Sequence, residues 1–207
     1  MRSVRELFDD SILIEKVKVK LPKLFQIAEL ESSRAGKVGM EVGSLRERIL
    51  VALLIYAFDE ANVRGDIPIT EPETDVFVFN NPISIKTVTG SGGVKLVWTV
   101  DAQQALEFSK KYQPSCDMLF VRINWSNGGG LYHFSRETQL AILSTMGREN
   151  YIKLPKQGTN PRGVEMQPNA IKKLIEHPDT LCIPINWKKE AIDYKPFERW
   201  VELWQED

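Results

Sequence analysis

A chain of 207 residues, 43% apolar and 27% charged, suits one sizeable globular unit with a substantial core and excludes a disordered chain. Its formal net charge of -1 offers no bulk attraction to a polyanion, so any nucleic-acid surface must come from local clusters of basic residues. Two cysteines (Cys116, Cys182) and two histidines (His133, His177) make neither a disulfide framework nor a structural zinc site.

The N-terminal third reads as helical. The opening MRSVRELFDDSI has no apolar signal core, and no apolar run approaches membrane-spanning length. A cytoplasmic protein with no membrane contact is therefore expected. Residues 4-VRELFDDSILIEKVKV-19 are amphipathic, and 22-PKLFQIAELE-31 offers a proline at a helix start. In 44-SLRERILVALLIYAF-58, Ser44 with Glu47 three residues on makes a capping-box signature. Leu45, Ile49, Ala52, Leu53 and Tyr56 form one stripe there, and the uncharged run 49–57 implies burial on most sides.

From residue 66 the pattern turns to strands: DIPIT, DVFVF, PISIKTV and VKLVWTV, with short turns between them. Asp101 caps a helix over 102–112. MLFVRINW and GLYHF flank the turn 126-SNGGG-130 as a second hairpin, and Ser135 opens a helix that stops at Gly147. A short strand YIKL, a long loop to Pro168, a helix NAIKKLIE and a strand TLCIPINW follow. A last helix carries Phe197, Trp200, Val201 and Trp204. The fold class is α/β (α+β), a mixed central β-sheet flanked by helices. One unit spans 1–207, mainly helical over 1–58, with the sheet over 66–135 and helices and strands over 136–207.

Within 75-DVFVFNNPISIKTVTG-90, Asn80 and Asn81 are the natural central residues of a tight turn. Phe79 then faces Pro82, Phe77 faces Ser84 and Asp75 faces Lys86, with opposed Cβ atoms about 5 Å apart. Val76, Val78, Ile83 and Ile85 take the core face, which leaves Asp75, Ser84 and Lys86 together on the other. On an arbitrary hairpin this is an exposed ion pair of small consequence. Here Phe77 and Phe79 share the face, and Asp66, Glu71 and Glu73 precede it. Such density of acid around one lysine suits Mg²⁺, which takes hard oxygen ligands and keeps several waters. A metal held by an aspartate beside a lysine is an apparatus for phosphodiester hydrolysis. The ion neutralises the scissile phosphate and acidifies a water, while the lysine holds that water or the developing charge.

Asp75 followed by 84-SIK-86 resembles the PD-(D/E)XK nuclease core of many type II restriction endonucleases. The resemblance implies that Asp75 binds metal and that Lys86 acts on the water. Thr74 stands where the motif has proline, and Ser84 stands where it has a second acid. A glutamate from a preceding helix often completes such sites. Glu41, in 39-GMEVGSLRER-48, is the preferred candidate for catalysis and metal binding. Glu47 is the alternative, with a capping role of its own; a solvated charge is the plain reading of Glu41. More widely, residues 21–56, 66–90 and 92–105 look like the ThaI-type restriction endonucleases. That resemblance implies a restriction-endonuclease-like fold and a homodimer that recognises CGCG in double-stranded DNA and cuts it centrally to blunt ends.

Specific cleavage needs groups that grip phosphate and groups that read bases. In 32-SSRAGKVGM-40, Arg34 and Lys37 suit phosphate, and Met40 is either a wedge at a base step or a side chain packed under the helix. The loop 153-KLPKQGTNPRGVEMQP-168 offers Lys153, Lys156, Gln157, Asn160 and Arg162 for phosphate, guanine and adenine. The segments 126-SNGGG-130 and 16-KVKVKLPK-23 read as a flexible turn and a solvated edge. A symmetric DNA site is most simply read by a two-fold homodimer. The competing readings are a repair or structure-specific PD-(D/E)XK nuclease, a non-catalytic DNA-binding module and, with least support, a Cys/His hydrolase.

Overall fold

The computed structural model describes residues 2–34, 37–39, 41–67, 73–97, 102–155 and 163–206, with Arg34 and Ala102 described by their backbone alone. A short 3-10 turn, Val4–Phe8, is capped reciprocally by Ser3 and Glu6. Asp10 then caps α1 (Ser11–Glu31), accepting from the N–H groups of Ile12 at 2.8 Å and Leu13 at 3.0 Å. Proline does not start this helix as expected; α1 runs through Pro22. An interior proline costs about 3 kcal/mol. Val17, Leu21 and Phe25 are all buried on the same helix, and each contributes about 1.5–3 kcal/mol. The buried stripe outweighs the break.

A small hairpin of β1 (Ser33–Arg34) and β2 (Lys37–Val38) leads to α2 (Val42–Phe58). The order continues with β3 (Val63–Arg64), β4 (Val76–Val78), β5 (Asn81–Thr89), β6 (Val94–Val97) and α3 (Ala102–Lys111). Then come β7 (Asp117–Ile123), β8 (Gly128–Phe134), α4 (Arg136–Met146), α5 (Arg148–Tyr151) and β9 (Ile152–Lys153). The chain ends with β10 (Val164–Met166), α6 (Pro168–Ile175), β11 (Leu181–Asn186) and α7 (Glu198–Gln205). Among the described residues six strands form the main sheet in the order β11-β8-β7-β5-β4-β3, and β6-β10-β9 form a smaller one. Within the main sheet only β5 and β7 pair in parallel.

The sheet is covered on both faces, as the mixture of strands and helices implies. Leu119, Val121 and Ile123 of β7 pack into one cluster with Leu21 and Phe25 of α1 and Leu50 and Leu54 of α2. Met118 and Phe120 point the other way, into a cluster with Ala105, Leu143 and Ile171 from α3, α4 and α6. A strand buried on both faces reads as a nearly unbroken apolar run, which is what MLFVRI is. Among the described residues no helix is long and apolar enough to cross a membrane.

Several expectations need correction. Asp66 and Ile67 of DIPIT lie outside any strand, and residues 68–70 lie outside the described residues. The stretch 153–168 is not all loop: β10 lies within it, with Val164 and Met166 wholly buried. Three residues are too few for alternation to announce a strand. The glycines after Asn127 are strand rather than turn, since Gly128–Gly130 pair with Pro184–Asn186. Gly129 is required there because a Cβ would lie 2.7 Å from the indole nitrogen of Trp187. Finally, α2 is not buried on most sides: Tyr56 is 60% exposed and Ile55 36%.

Candidate active site

The β4–β5 turn is centred on Phe79 and Asn80, both in the left-handed region at φ 49° and 63°, not on Asn80 and Asn81. The pairs are Val76↔Ile83, Phe77↔Pro82 and Val78↔Asn81. Phe79 is drawn into the turn by its edge contact with Phe58, at 5.2 Å between centroids, and by its N–H bond to the Asn62 carbonyl at 2.9 Å. The Asn81 side-chain amide then bonds back to the carbonyls of Val78 and Phe79. Continuing this register sets Asp75 opposite Ser84 rather than Lys86. The change is an even number of residues, so every side chain keeps its face. Val76, Val78, Ile83 and Ile85 are buried in the core, and the trio of Asp75, Ser84 and Lys86 survives the corrected register.

One carboxylate oxygen organises the trio. Asp75 Oδ2 accepts from the Ile85 N–H at 2.6 Å, from Lys86 Nζ at 2.8 Å and from Ser84 Oγ at 3.2 Å. The reason is local. The β4 ladder ends at Val76 opposite Ile83, and the Asp75 carboxylate serves the next free N–H of β5. Ser84 is buried and donates to Asp75, so it braces the aspartate instead of replacing the missing acid. All three bonds land on Oδ2, and Oδ1 takes no part in them.

The carboxylate that α2 brings to this pair is Glu47. The helix starts at Val42 with Glu41 at its N-cap and no side-chain cap, so Ser44 lies inside the first turn and the expected capping box is absent. Glu47 is thereby released from a capping role. It is half-buried, and its carboxyl is pushed above the usual range by burial and then by the negative charge of Asp75; Lys86 and Arg48 offset part of this. Glu47 and Lys86 line a cavity of about 400 Å³ together with Thr87, Lys95 and Glu165. Glu41 is exposed, and its carboxylate lies over Gly39, where a Cβ would collide with Glu41 Oε2.

At this edge the Glu47 and Asp75 carboxylates face the Lys86 ammonium, and Arg48 adds a weaker positive influence. Among the described residues no three acids, histidines or cysteines converge into a ready-made metal cage. An aspartate and a glutamate, with waters and phosphate oxygens completing the shell, nevertheless form a donor set that Mg²⁺ accepts. The other acids near the hairpin serve different ends. Glu73 accepts from Tyr112 Oη at 2.7 Å and from the Ser115 N–H at 2.8 Å, which ties it to the segment before β7. Asp66 is exposed, and Glu71 lies outside the described residues.

Of the expected DNA-contacting residues, Lys37 is exposed on β2, where its backbone pairs with Arg34. Lys153 is exposed on β9, and its Nζ lies 3.6 Å from Glu165 Oε2; Lys95 Nζ lies 3.3 Å from Glu165 Oε1. Glu165 links Lys153 to the cavity beside Lys86. Met40, Lys156, Gln157, Asn160 and Arg162 lie outside the described residues. Lys95, Thr87 and Glu165 were not legible as site residues. Lys95 alternates with apolar neighbours in 94-VKLV-97 and so could have been read as leaving the core, but nothing in the sequence pairs it with Glu165. A Cys/His nucleophile finds no support. Burial, helped by the charge of Glu73, pushes the Cys116 thiol up to about 12. His133 Nε2 is engaged by Asp117 Oδ2 at 2.9 Å.

Known proteins resemble this chain over nearly all of its length. No curated protein matches the sequence. A solved structure described as a restriction endonuclease in complex with substrate DNA matches with a TM-score of 0.91 and 55% identity, over 98% of this chain and 98% of that one. The family model for restriction endonuclease ThaI matches residues 7–206. With nearly its whole length matched, the chain belongs to the ThaI restriction endonuclease family and is a site-specific deoxyribonuclease.

Proposed function

We propose that this enzyme is a type II restriction endonuclease of the PD-(D/E)XK kind, which hydrolyses both strands of duplex DNA at CGCG to blunt ends, with Mg²⁺ as cofactor. The whole chain acts as one nuclease domain and works as a homodimer in the cytoplasm. The observation that carries the chemistry is the half-buried Glu47 carboxyl held beside the Asp75–Lys86 pair, at 2.8 Å within the pair. The CGCG target and blunt ends rest on the ThaI-type resemblance, and duplex DNA as partner rests on the related structure solved with substrate DNA.

Asp75 and Glu47 are the metal ligands in this reading, with Glu47 in the role first expected of Glu41. Held there, Mg²⁺ supplies positive charge to the scissile phosphate and lowers the pKa of a water. Asp75 Oδ2 holds the Lys86 ammonium on the lining of the cavity, where it orients the attacking water and steadies charge on the phosphate. Ser84 and the Ile85 N–H hold Asp75 in one rotamer, so Oδ1 is aimed before substrate arrives. Arg34, Lys37, Lys153, Lys156 and Arg162 contribute phosphate contacts, with Gln157 and Asn160 as base readers and Met40 at a base step.

Digestion of a plasmid of known sequence tests this reading. With Mg²⁺ it should give discrete blunt-ended fragments that end within CGCG, and with EDTA none. Cleavage that persists in EDTA overturns the metal chemistry. Discrete fragments ending at another palindrome overturn the target alone.

A further inference from the structure

Two apolar surfaces of this chain remain uncovered, and they complement one another. The first is α7. Phe197, Trp200, Val201 and Trp204 follow the i, i+3, i+4, i+7 spacing of one helix face, yet Phe197 is 73% exposed and Trp204 90%. No residue of α7 is buried. The arm that carries it is anchored, since the Gln26 side chain bonds the backbone of Glu190 in both directions and Lys189 pairs with Glu29 at 2.9 Å. Eight helical residues without tertiary support fall well short of the roughly 12–15 at which isolated helices become even marginal in water. The helix therefore calls for a surface to lie on.

The second surface is a groove of about 400 Å³ between α1 and α2, floored by Val17, Leu21 and Leu53 and flanked by Leu24 and Tyr56. Lys16 and Lys20 stand on its rim, one helical turn apart and both exposed. On α7 the acids Glu198 and Glu202 are also one turn apart, and Glu206 extends the series; Arg199 is the helix's own cation, and Lys195 just before it pairs with Glu198 at 3.0 Å on the exposed surface. Polarity and the sign of the charges thus match between two parts of the same chain.

We propose that α7 of one copy docks in the α1–α2 groove of a second copy, with Trp200 and Trp204 on the groove floor and Glu198 and Glu202 against Lys16 and Lys20. A second copy fits better than an unrelated partner because the chain carries both halves of the contact. Reciprocal exchange lets each copy give one helix and receive one, so the assembly closes at two. This inference rests on the homodimer reading above and names the surface that makes it.

Sedimentation of the full chain over a range of concentrations provides the test. Wild-type protein should be a dimer. Trp200→Ser with Trp204→Ser should raise the dimer dissociation constant by at least about thirtyfold, as loss of buried tryptophan anchors does. The monomer's thermal midpoint should hardly move, because Trp204 is 90% exposed and Trp200 meets the neighbouring Arg199 on an exposed face. Lys16→Glu with Lys20→Glu should weaken the dimer about tenfold, and adding Glu198→Lys with Glu202→Lys should restore it. A wild-type dimer indifferent to the tryptophan changes overturns this interface and leaves the homodimer reading standing. Dissociation by the tryptophan changes without any effect of the lysine reversals overturns the groove in favour of α7 pairing with itself. A wild-type monomer at every concentration overturns the homodimer reading and this interface together.

Discussion

Consecutive residues of α2 enter two ion-paired regions of opposite character. Arg46 turns into the core, where its guanidinium lies 2.6 Å from Glu29, with both side chains below 8% exposure. Glu29 also accepts from the Trp125 indole at 2.8 Å and pairs with Lys189 at 2.9 Å. Burial lowers the Arg46 pKa and Glu29 counters it, so one carboxylate is surrounded by two cations and a donor. Glu47, the next residue, faces the Asp75–Lys86 pair, where two carboxylates share one ammonium. A buried carboxylate with cations to spare holds elements together, here α1 to α2. A pair of carboxylates beside an open cavity suits the cation proposed above.

The two regions should respond differently to substitution, and the largest effect belongs to the site. Lys86→Ala should reduce cleavage by about a thousandfold or more, the scale of losing a group that steadies charge in the transition state. Duplex binding in a gel-shift assay should survive. Cleavage within a few fold of wild type would dissolve the distinction. Glu29→Ala should do the reverse. Removing one partner of a buried pair costs about 3–5 kcal/mol of stability, measurable by urea unfolding. The molecules still folded should cleave at nearly the normal rate.

Proton linkage sharpens the contrast further. Glu47 has a raised pKa in the folded protein, so its contribution to stability is complete below its unfolded value and is lost as pH rises through the folded value. In EDTA, Glu47→Gln should therefore flatten the decline in thermal midpoint as pH rises from the ordinary carboxylate range towards neutrality. In wild-type protein, Mg²⁺ should recover part of that decline, because the cation favours the ionised carboxylate. An identical pH profile for the two proteins would contradict the raised pKa of Glu47. The smallest effect is expected at Lys153, exposed and only loosely tied to Glu165. Lys153→Ala should weaken binding to all duplexes alike and reduce the salt slope by about one.

Much of this was legible in the sequence. The alternation in DVFVF and ISIK assigns Asp75 and Lys86 to one face whichever turn is chosen, because a shift by two residues does not change sides. The register itself was not legible. It depends on Phe79 accepting a left-handed conformation to reach Phe58, a tertiary contact that outweighs the local preference for Asn-Asn. The same limit affected Glu47. The spacing of Ser44 and Glu47 fits a capping box, but a helix whose N-cap is Glu41, three residues earlier, turns the pair into ordinary neighbours one turn apart. Helix starts are set by what the preceding hairpin packs against, which short-range patterns do not encode. In α7 the amphipathic spacing was plain while its exposure was not, since a sequence marks an apolar face without saying which chain covers it.

Whether Glu47 or Glu41 completes the proposed metal site decides how α2 serves the chemistry. Mg²⁺-dependent cleavage of a single-site duplex by Glu47→Gln and Glu41→Gln, compared side by side, tests it most directly. Glu47→Gln should lose activity by at least about a hundredfold, with thermal stability kept, while Glu41→Gln should cleave within a few fold of wild type. Activity lost in Glu41→Gln and kept in Glu47→Gln would contradict the assignment.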